Sequence, residues 1–597
     1  MNHKINVSRL SPDLKQLLIF PLFCALAACS NENTQAPSAM ETPTPNESQA
    51  TASVLPVMSP AVGTNLLNCE ELSSQFVFEQ TALTEVSQVP AGMLEGYPVG
   101  EHCLITGQMN QRVSEIDGNS YAIGFEMRLP ADWNGRFFHQ ANGGIDGRVA
   151  TSIGGMLGGG PLSTALSEGF AVINSDAGHQ GPTPFFGIDP QARLDYGYAA
   201  VGTLTPMAKA LITSAYGKGP DRSYFAGCSN GGRHAMIAAA RYADEYDGIL
   251  AGNPGFNLPQ AAVAQLYAAQ QFTLVSTTVN ENGEPDISSA FTQAERDLIA
   301  ASILEQCDSL DGLEDGIVAN LMACQAAFDL ETHVPTCTAE RDGSCLSAEQ
   351  KTVYGNIMSG ARNSSGELIY SSFPYDAGVN NSNWAFWKYG ASQRLDPGSV
   401  GFIFSTPPFD FNEFVAQSGL QFALNFDMDT DAPKIFATEG IYSEAAMSFM
   451  TPPNPTDLST LRDRGAKMMV FHGTSDGIFS SDDTARWYNE LNAQNAGNAD
   501  EFTRLYLVPG MNHCGGGPST DQFDMVTALV NWVEQGETPD RIIASARGPG
   551  NPVSVNEELP ADWAPDRTRP LCPYPEIARY NGSGDIEDAA NFSCEAP

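Results

Sequence analysis

Ser223-Tyr224-Phe225-Ala226-Gly227-Cys228-Ser229-Asn230-Gly231-Gly232-Arg233-His234-Ala235-Met236-Ile237-Ala238 is the stretch that decides the fold. Its first four residues read as a short buried strand, and Gly231 to Ala240 reads as an Ala-rich helix. Between them stands Gly227-Cys228-Ser229-Asn230-Gly231, a G-x-S-x-G turn. Strand, glycine-flanked turn and helix together form the context in which this motif holds a serine hydroxyl clear of a sheet. The helix N-terminus favours negative charge beside that hydroxyl. His234 lies near Ser229 in sequence but faces along the helix, which suits packing.

Two downstream loops supply partners for Ser229. His513 lies in Pro509-Gly510-Met511-Asn512-His513-Cys514-Gly515, after the strand-like Leu505-Tyr506-Leu507-Val508. Asp476 lies in His472-Gly473-Thr474-Ser475-Asp476-Gly477, after the strand-like Met468-Met469-Val470-Phe471, which His472 closes. The order Ser, Asp, His is that of α/β-hydrolases. An acid on such a loop can accept from the imidazole and fix its tautomer. Asp482 and Asp483 compete for the role, but they open the next helical pattern and read as first-turn acids.

Strand and helix signals alternate from about 65 to 255, with Phe137-Phe138, Phe170-Ala171-Val172-Ile173 and Ile249-Leu250-Ala251 as further strands. Such alternation implies a parallel sheet. It fails over 256–464 and resumes at Lys467. The roughly 530 residues after position 62 exceed one simple core. The expected architecture is therefore an α/β-hydrolase catalytic domain, 63–255 with 465–597, and an inserted lid, 256–464, with a binding cleft between them.

Residues 1–28 read as an export signal: Lys4, Arg9 and Lys15 precede the short apolar run Leu17 to Phe23. Leu26-Ala27-Ala28-Cys29 resembles a lipoprotein box with Cys29 the lipidated residue, and the Ser30 that follows resembles outer-membrane sorting, towards the periplasm or the cell surface. Ordinary cleavage with Cys29 a bystander is the alternative. Residues 29–62 are rich in Pro, Thr, Ser, Asn and Glu and read as a flexible tether. The net charge of −40, with 30 Lys+Arg against 70 Asp+Glu, argues against a nucleic-acid partner. Contact with a membrane is expected only through the lipid at Cys29, and the protein is expected to be a monomer.

Of 12 cysteines, Cys24 leaves with the signal and Cys29 is the lipid site, so ten remain in an exported chain. An even number there points to disulfides, although sequence alone cannot pair them. Proximity suggests Cys69–Cys103, Cys307–Cys324, Cys337–Cys345 and Cys572–Cys594, leaving Cys228–Cys514. That last pair would make the nucleophile and its base covalent neighbours. No C-x-x-C spacing suggests zinc. Within the lid, Asp308, Asp311 and Asp315 fall in Cys307-Asp308-Ser309-Leu310-Asp311-Gly312-Leu313-Glu314-Asp315-Gly316-Ile317. Three spaced carboxylates can wrap a hard cation. The loop is not an EF-hand, since its twelfth position from Asp308 is Ala319, and a solvated acidic turn is the alternative.

Gly227-Cys228-Ser229 with Gly231-Gly232-Arg233, the Asp476 loop and Met511-Asn512-His513-Cys514 resemble the tannase and feruloyl esterase family. The resemblance implies a serine triad whose Ser and His are bridged by adjacent cysteines, the five cysteine pairs above, and structural calcium in the lid. The implied calcium ligands are Asp308, Asp311, Asp315 and the backbone carbonyls of Leu313 and Ile317. It implies backbone N–H groups of Gly144 and Asn230 as oxyanion donors, Trp387 over the substrate ring and Phe404 as a lid phenylalanine. Stretches Asp189–Asp195 and Pro570–Pro575 extend the resemblance and put a terephthalate monoester first among expected substrates, with feruloyl or galloyl esters next. The matching pattern has Glu where Asn230 stands and Ser where Gly143 stands. The segment between Trp387 and Phe404 is short, so Arg394, with Lys388 as alternative, is the cation available for a free substrate carboxylate. The expected function is an exported serine esterase of small aromatic esters with no organic cofactor. A rival of another class is a non-catalytic lipoprotein that binds phenolics or carbohydrate.

Overall fold

The strand expected at Ser223–Ala226 spans Arg222–Cys228 and lies inside a nine-stranded sheet. The computed structural model of the chain describes residues 55–597; the expected signal, Cys29 and the tether to residue 54 lie outside the described residues. In chain order the strands of this sheet are β1 (Thr81–Val89), β2 (His102–Val113), β3 (Ser120–Pro130), β4 (Arg136–Gln140), β5 (Ala171–Ser175), β6 (Arg222–Cys228), β7 (Gly248–Gly252), β8 (Lys467–Gly473) and β9 (Thr503–Val508). Their spatial order is β9-β8-β7-β6-β4-β5-β3-β2-β1.

From β9 to β5 every neighbouring pair is parallel. The parallel sheet expected from the sequence is present there, and at the other edge three further pairs, β5–β3, β3–β2 and β2–β1, run antiparallel. The link from Val113 to Ser120 is too short to carry a crossover helix, which a parallel pair requires. Strands β7 and β8 are buried along their whole length, as strands covered on both faces must be.

The main helices are α1 (Ala200–Tyr216), α2 (Asn230–Arg241), α3 (Leu258–Thr273), α4 (Gln293–Cys307), α5 (Ala348–Met358), α6 (Ser481–Gln494) and α7 (Met525–Gln535). Register brings the carboxyl ends of the parallel strands level: Cys228 pairs with Gly252, Gly252 with Phe471 and Gly473 with Val508. The loops leaving β6, β7, β8 and β9 therefore open on one edge, where ligands bind in open α/β sheets.

The insertion between β7 and β8 is helical, with α3, α4 and α5 and the π-helical turns Phe386–Ala391 and Ser399–Phe404. Capping boxes at Thr292/Glu295 and Ser347/Gln350 start α4 and α5. Sheet and insertion belong to one compact unit, Leu55–Pro597. The tether expected to reach residue 62 is corrected at its end. Met58 N–H donates to Val533 O at 3.2 Å and Ala61 N–H to the Glu534 carboxylate at 2.9 Å, so this stretch is already tied to α7. Among the described residues no helix is long and apolar enough to cross a membrane.

Candidate active site

Ser229 joins β6 to α2 with φ 66° and ψ −126°, a region costly for a residue with a side chain. The turn is tight because two glycines let backbone meet backbone. A Cβ on Gly227 would lie 2.6 Å from Gly231 C, and one on Gly231 would lie 2.9 Å from the carbonyl oxygens of Ala141 and Asn142. The strain is held by the sheet on one side and α2 on the other, and it presents Oγ at the carboxyl edge.

His513 Nε2 lies 2.8 Å from Ser229 Oγ, and its Nδ1 lies 2.8 Å from Asp476 Oδ2. Asp476 Oδ1 accepts from the N–H groups of Ile478 at 2.9 Å and Phe479 at 3.1 Å, while Oδ2 also accepts from Asn253 Nδ2 at 2.8 Å. Burial alone would raise its pKa, but His513 and His472 beside it hold the carboxyl well below the usual carboxylate range. Asp476 is thus a fixed, ionised partner for His513. The competing acids are engaged elsewhere: Asp482 accepts from the Ser372 hydroxyl and Asp483 from Asn257. His472 is the last residue but one of β8 and is fully buried, with Nδ1 2.9 Å from Thr484 Oγ1.

Gly144 adopts φ +65°, open to glycine, and Asn230 is the first residue of α2. Among the described hydrogen bonds neither backbone N–H has an acceptor, so both are available to an oxyanion. All ten expected cysteines are paired: Cys69–Cys103, Cys228–Cys514, Cys307–Cys324, Cys337–Cys345 and Cys572–Cys594.

The insertion lays Trp387 edge-on to His513, ring centroids 4.7 Å apart, with its indole N–H unpartnered. Phe479 contacts the same imidazole at 5.4 Å. Phe404 is only 1% exposed, packed in the core at the end of its π-helical turn. Arg394 is not brought to the triad: its side chain is exposed, and none of the described hydrogen bonds or ion pairs joins it to a site residue. A carboxylate grip by Arg394 is therefore not preformed. Lys388 is buried, with Nζ 3.7 Å from the centroid of Phe373. Burial lowers its pKa to about 7 against the pull of Asp476 and Asp396.

In the acidic loop, Asp308 accepts from the N–H groups of Asp315 and Gly316, and Asp311 from those of Leu313 and Ala319. Burial, with Asp315 and Asp308 adding to it, pushes Asp311 up to about 7. The Asp315 carboxylate is held by Arg569. Among the described residues no three acidic, His or Cys side chains surround one metal position. Wrapping a cation would require Asp315 to release Arg569.

The sequence reading missed Asn253 and Phe479. Asn253 follows Gly252 at the end of β7, on the same edge as Ser229. That position was a usable signal; its side-chain direction was not.

A serine hydroxyl, an imidazole and a buried carboxylate in line at the carboxyl edge of this sheet define a serine hydrolase of the α/β-hydrolase class. The family model described as tannase and feruloyl esterase matches residues 103–595, so the chain belongs to that family and is a serine esterase. Mono(2-hydroxyethyl) terephthalate hydrolase of Piscinibacter sakaiensis is 41% identical over 532 residues, covering 83% of this chain and 85% of that protein. Probable feruloyl esterase B-1 of Neosartorya fischeri is 28% identical over 492 residues, covering 79% and 82%. The crystal structure of feruloyl esterase B from Aspergillus oryzae matches with a TM-score of 0.68 at 24% identity, covering 88% of this chain and 99% of that one. It shares the fold.

Proposed function

We propose that this chain hydrolyses small esters of aromatic carboxylic acids, with mono(2-hydroxyethyl) terephthalate as leading substrate, released as terephthalate and ethylene glycol. The observation that carries the chemistry is the unbroken line Ser229–His513–Asp476. The 41% identical relative supports the choice of acid.

Ser229 Oγ attacks the ester carbonyl while His513 Nε2 takes its proton. The tetrahedral oxyanion meets the N–H groups of Gly144 and Asn230, each worth about 3 kcal/mol in comparable sites. His513 then protonates the leaving alcohol, and water repeats the sequence on the acyl-enzyme. Asp476 keeps the imidazole in the tautomer with Nδ1–H and stabilises the imidazolium. Trp387 offers an aromatic edge beside His513 on which the acyl ring would rest. The free carboxylate of a terephthalate monoester requires a cation in an apolar cleft. Arg394 is assigned that role and would have to leave solvent to fill it. A panel of terephthalate, ferulate and gallate esters tests the reading: fastest turnover of the terephthalate monoester supports it, and no turnover of any defeats it.

The exposure of Arg394 favours a second reading, a feruloyl or tannin esterase acting on neutral phenolic esters that need no such cation.

Export with a lipid at Cys29 and outer-membrane residence belong to the same proposal, supported by the sequence of residues 1–30. So does structural calcium on Asp308, Asp311, Asp315 and the carbonyls of Leu313 and Ile317. The spacing of three carboxylates on one loop supports it, and Asp315 would have to release Arg569 to take part. Calcium there would stabilise the insertion and take no part in the chemistry.

A further inference from the structure

Behind the two oxyanion donors lies a closed ring of buried polar groups. Asn230 Nδ2 donates to Asp146 Oδ2 at 2.9 Å. His234 Nε2 lies 2.9 Å from the same oxygen. Asn230 Oδ1 accepts from Arg233 Nε at 2.6 Å. Arg233 in turn donates to the carbonyls of Tyr196 at 3.0 Å and Gly197 at 2.7 Å. Tyr196 closes the ring by donating its hydroxyl to Gly144 O at 3.3 Å. Asp146, Tyr196, Asn230, Arg233 and His234 are all buried.

Burial and the neighbouring Arg233 charge lower the His234 pKa, so its ring is neutral. Nε2–H then donates to Asp146, and Nδ1 accepts from Arg233 at 3.2 Å. Every strong donor in the ring therefore has an acceptor. Asp146 holds φ +55°, a conformation Asp and Asn tolerate better than most residues.

The two donors come from different places, Gly144 on the loop after β4 and Asn230 at the start of α2. The α2 side is rigid. Backbone bonds hold the Gly143-Gly144-Ile145-Asp146-Gly147 loop to itself and to the loop after β5, Asp146 N–H to Gly143 O at 3.3 Å and Gly147 N–H to Asp176 O at 3.1 Å, while the bonds from this loop to α2 run through the Asp146 side chain.

We propose that Asp146 is a positioning residue: gripped by Asn230 and His234, it fixes Gly144 N–H against Asn230 N–H and so sets the oxyanion hole. Asn230 then contributes twice, its backbone N–H to the substrate and its side chain to the geometry. The inference rests on the proposed roles of Ser229 and of these two amides.

The test compares Asp146→Gly, which keeps the positive φ and removes the carboxylate, with Asp146→Asn, which keeps an acceptor at the same place. Asn230→Ala and the double variant Asp146→Gly/Asn230→Ala complete the set, and Ser229→Ala runs alongside. Steady-state hydrolysis of an aromatic ester and inhibition by an arylboronic acid are measured on each. Asp146→Gly and Asn230→Ala should each lower kcat about tenfold to a hundredfold with little change in KM, the size of effect a small misplacement produces. The boronate Ki should rise in step, since boronate fills the oxyanion site. The double variant should be no worse than the worse single, because both remove the Asn230–Asp146 contact. Asp146→Asn should recover most of the loss.

An unchanged kcat in Asp146→Gly, even with a lowered Tm, would overturn the proposal. So would losses confined to KM, or losses that multiply in the double variant. If any of these occurs while Ser229→Ala is inactive, only the positioning role falls. An active Ser229→Ala would remove the reading on which that role rests as well.

Discussion

Cys228 Sγ is bonded to Cys514 Sγ, so the residue before Ser229 and the residue after His513 form one covalent unit across a sequence separation of 286. Few constraints act so directly on a catalytic distance. The 2.8 Å contact between Ser229 Oγ and His513 Nε2 lies one residue from the bridge on each side.

Replacing both cysteines, Cys228→Ser with Cys514→Ser, should therefore do two things. The chain-entropy model gives the bridge on the order of 5 kcal/mol for so long a loop. Stability should fall, and kcat measured well below the new Tm should fall at least about tenfold as the triad loosens. Circular dichroism with steady-state kinetics separates the two effects. A folded double variant with wild-type kcat would show that the bridge serves stability alone.

Asp476→Asn should leave the fold intact and lower kcat by about ten-thousandfold, the loss seen where a triad histidine is held in the wrong tautomer. Its effect on stability depends on pH in a fixed direction. The Asp476 pKa is lower in the folded than in the unfolded chain, so its contribution is fully present above the ordinary aspartate pKa, about 3.9. It is lost as pH falls below that value towards the depressed one. The stability gap between wild type and Asp476→Asn should be constant from neutral pH to about pH 5 and shrink in stronger acid. Denaturant melts of both proteins across that range check the sign, and a gap that widens in acid would contradict it.

Calcium should raise the melting temperature. At about 100 times its Kd, a ligand bound only by the folded state adds about 2.7 kcal/mol. Chelation should lower Tm, calcium should restore it, and Asp311→Asn should abolish the response. An unchanged Tm, with no calcium found in the purified protein by elemental analysis, would remove the site.

Arg394→Ala should depress kcat/KM on a terephthalate monoester at least about tenfold, the weight of a charge-assisted contact, and leave methyl ferulate nearly unchanged. Equal losses, or none, on the two substrates would exclude Arg394 as the carboxylate partner and favour the neutral phenolic esters.

The chain displays its catalytic order openly because each triad residue follows a buried strand: Phe225 and Ala226 precede Ser229, Val470 and Phe471 precede Asp476, and Leu505 to Val508 precede His513. Strand periodicity and loop position are local properties, so sequence carries them. Pairing direction is not local, and the antiparallel edge of β1 to β3 could not be read from the run of apolar residues. Side-chain direction is less local still. Nothing in Asn253 tells that it donates to Asp476, nor in Asp146 that it meets Asn230. Arg394 is legible as an arginine in the right segment, but that the helical turn carrying it leaves its side chain in solvent is not.

The most direct test of the account is the initial rate at which purified wild type and Ser229→Ala release terephthalate from mono(2-hydroxyethyl) terephthalate, measured side by side. The wild type should release it, and Ser229→Ala should be slower by about ten-thousandfold or more. Release by Ser229→Ala at a rate near that of the wild type would contradict the account at its centre.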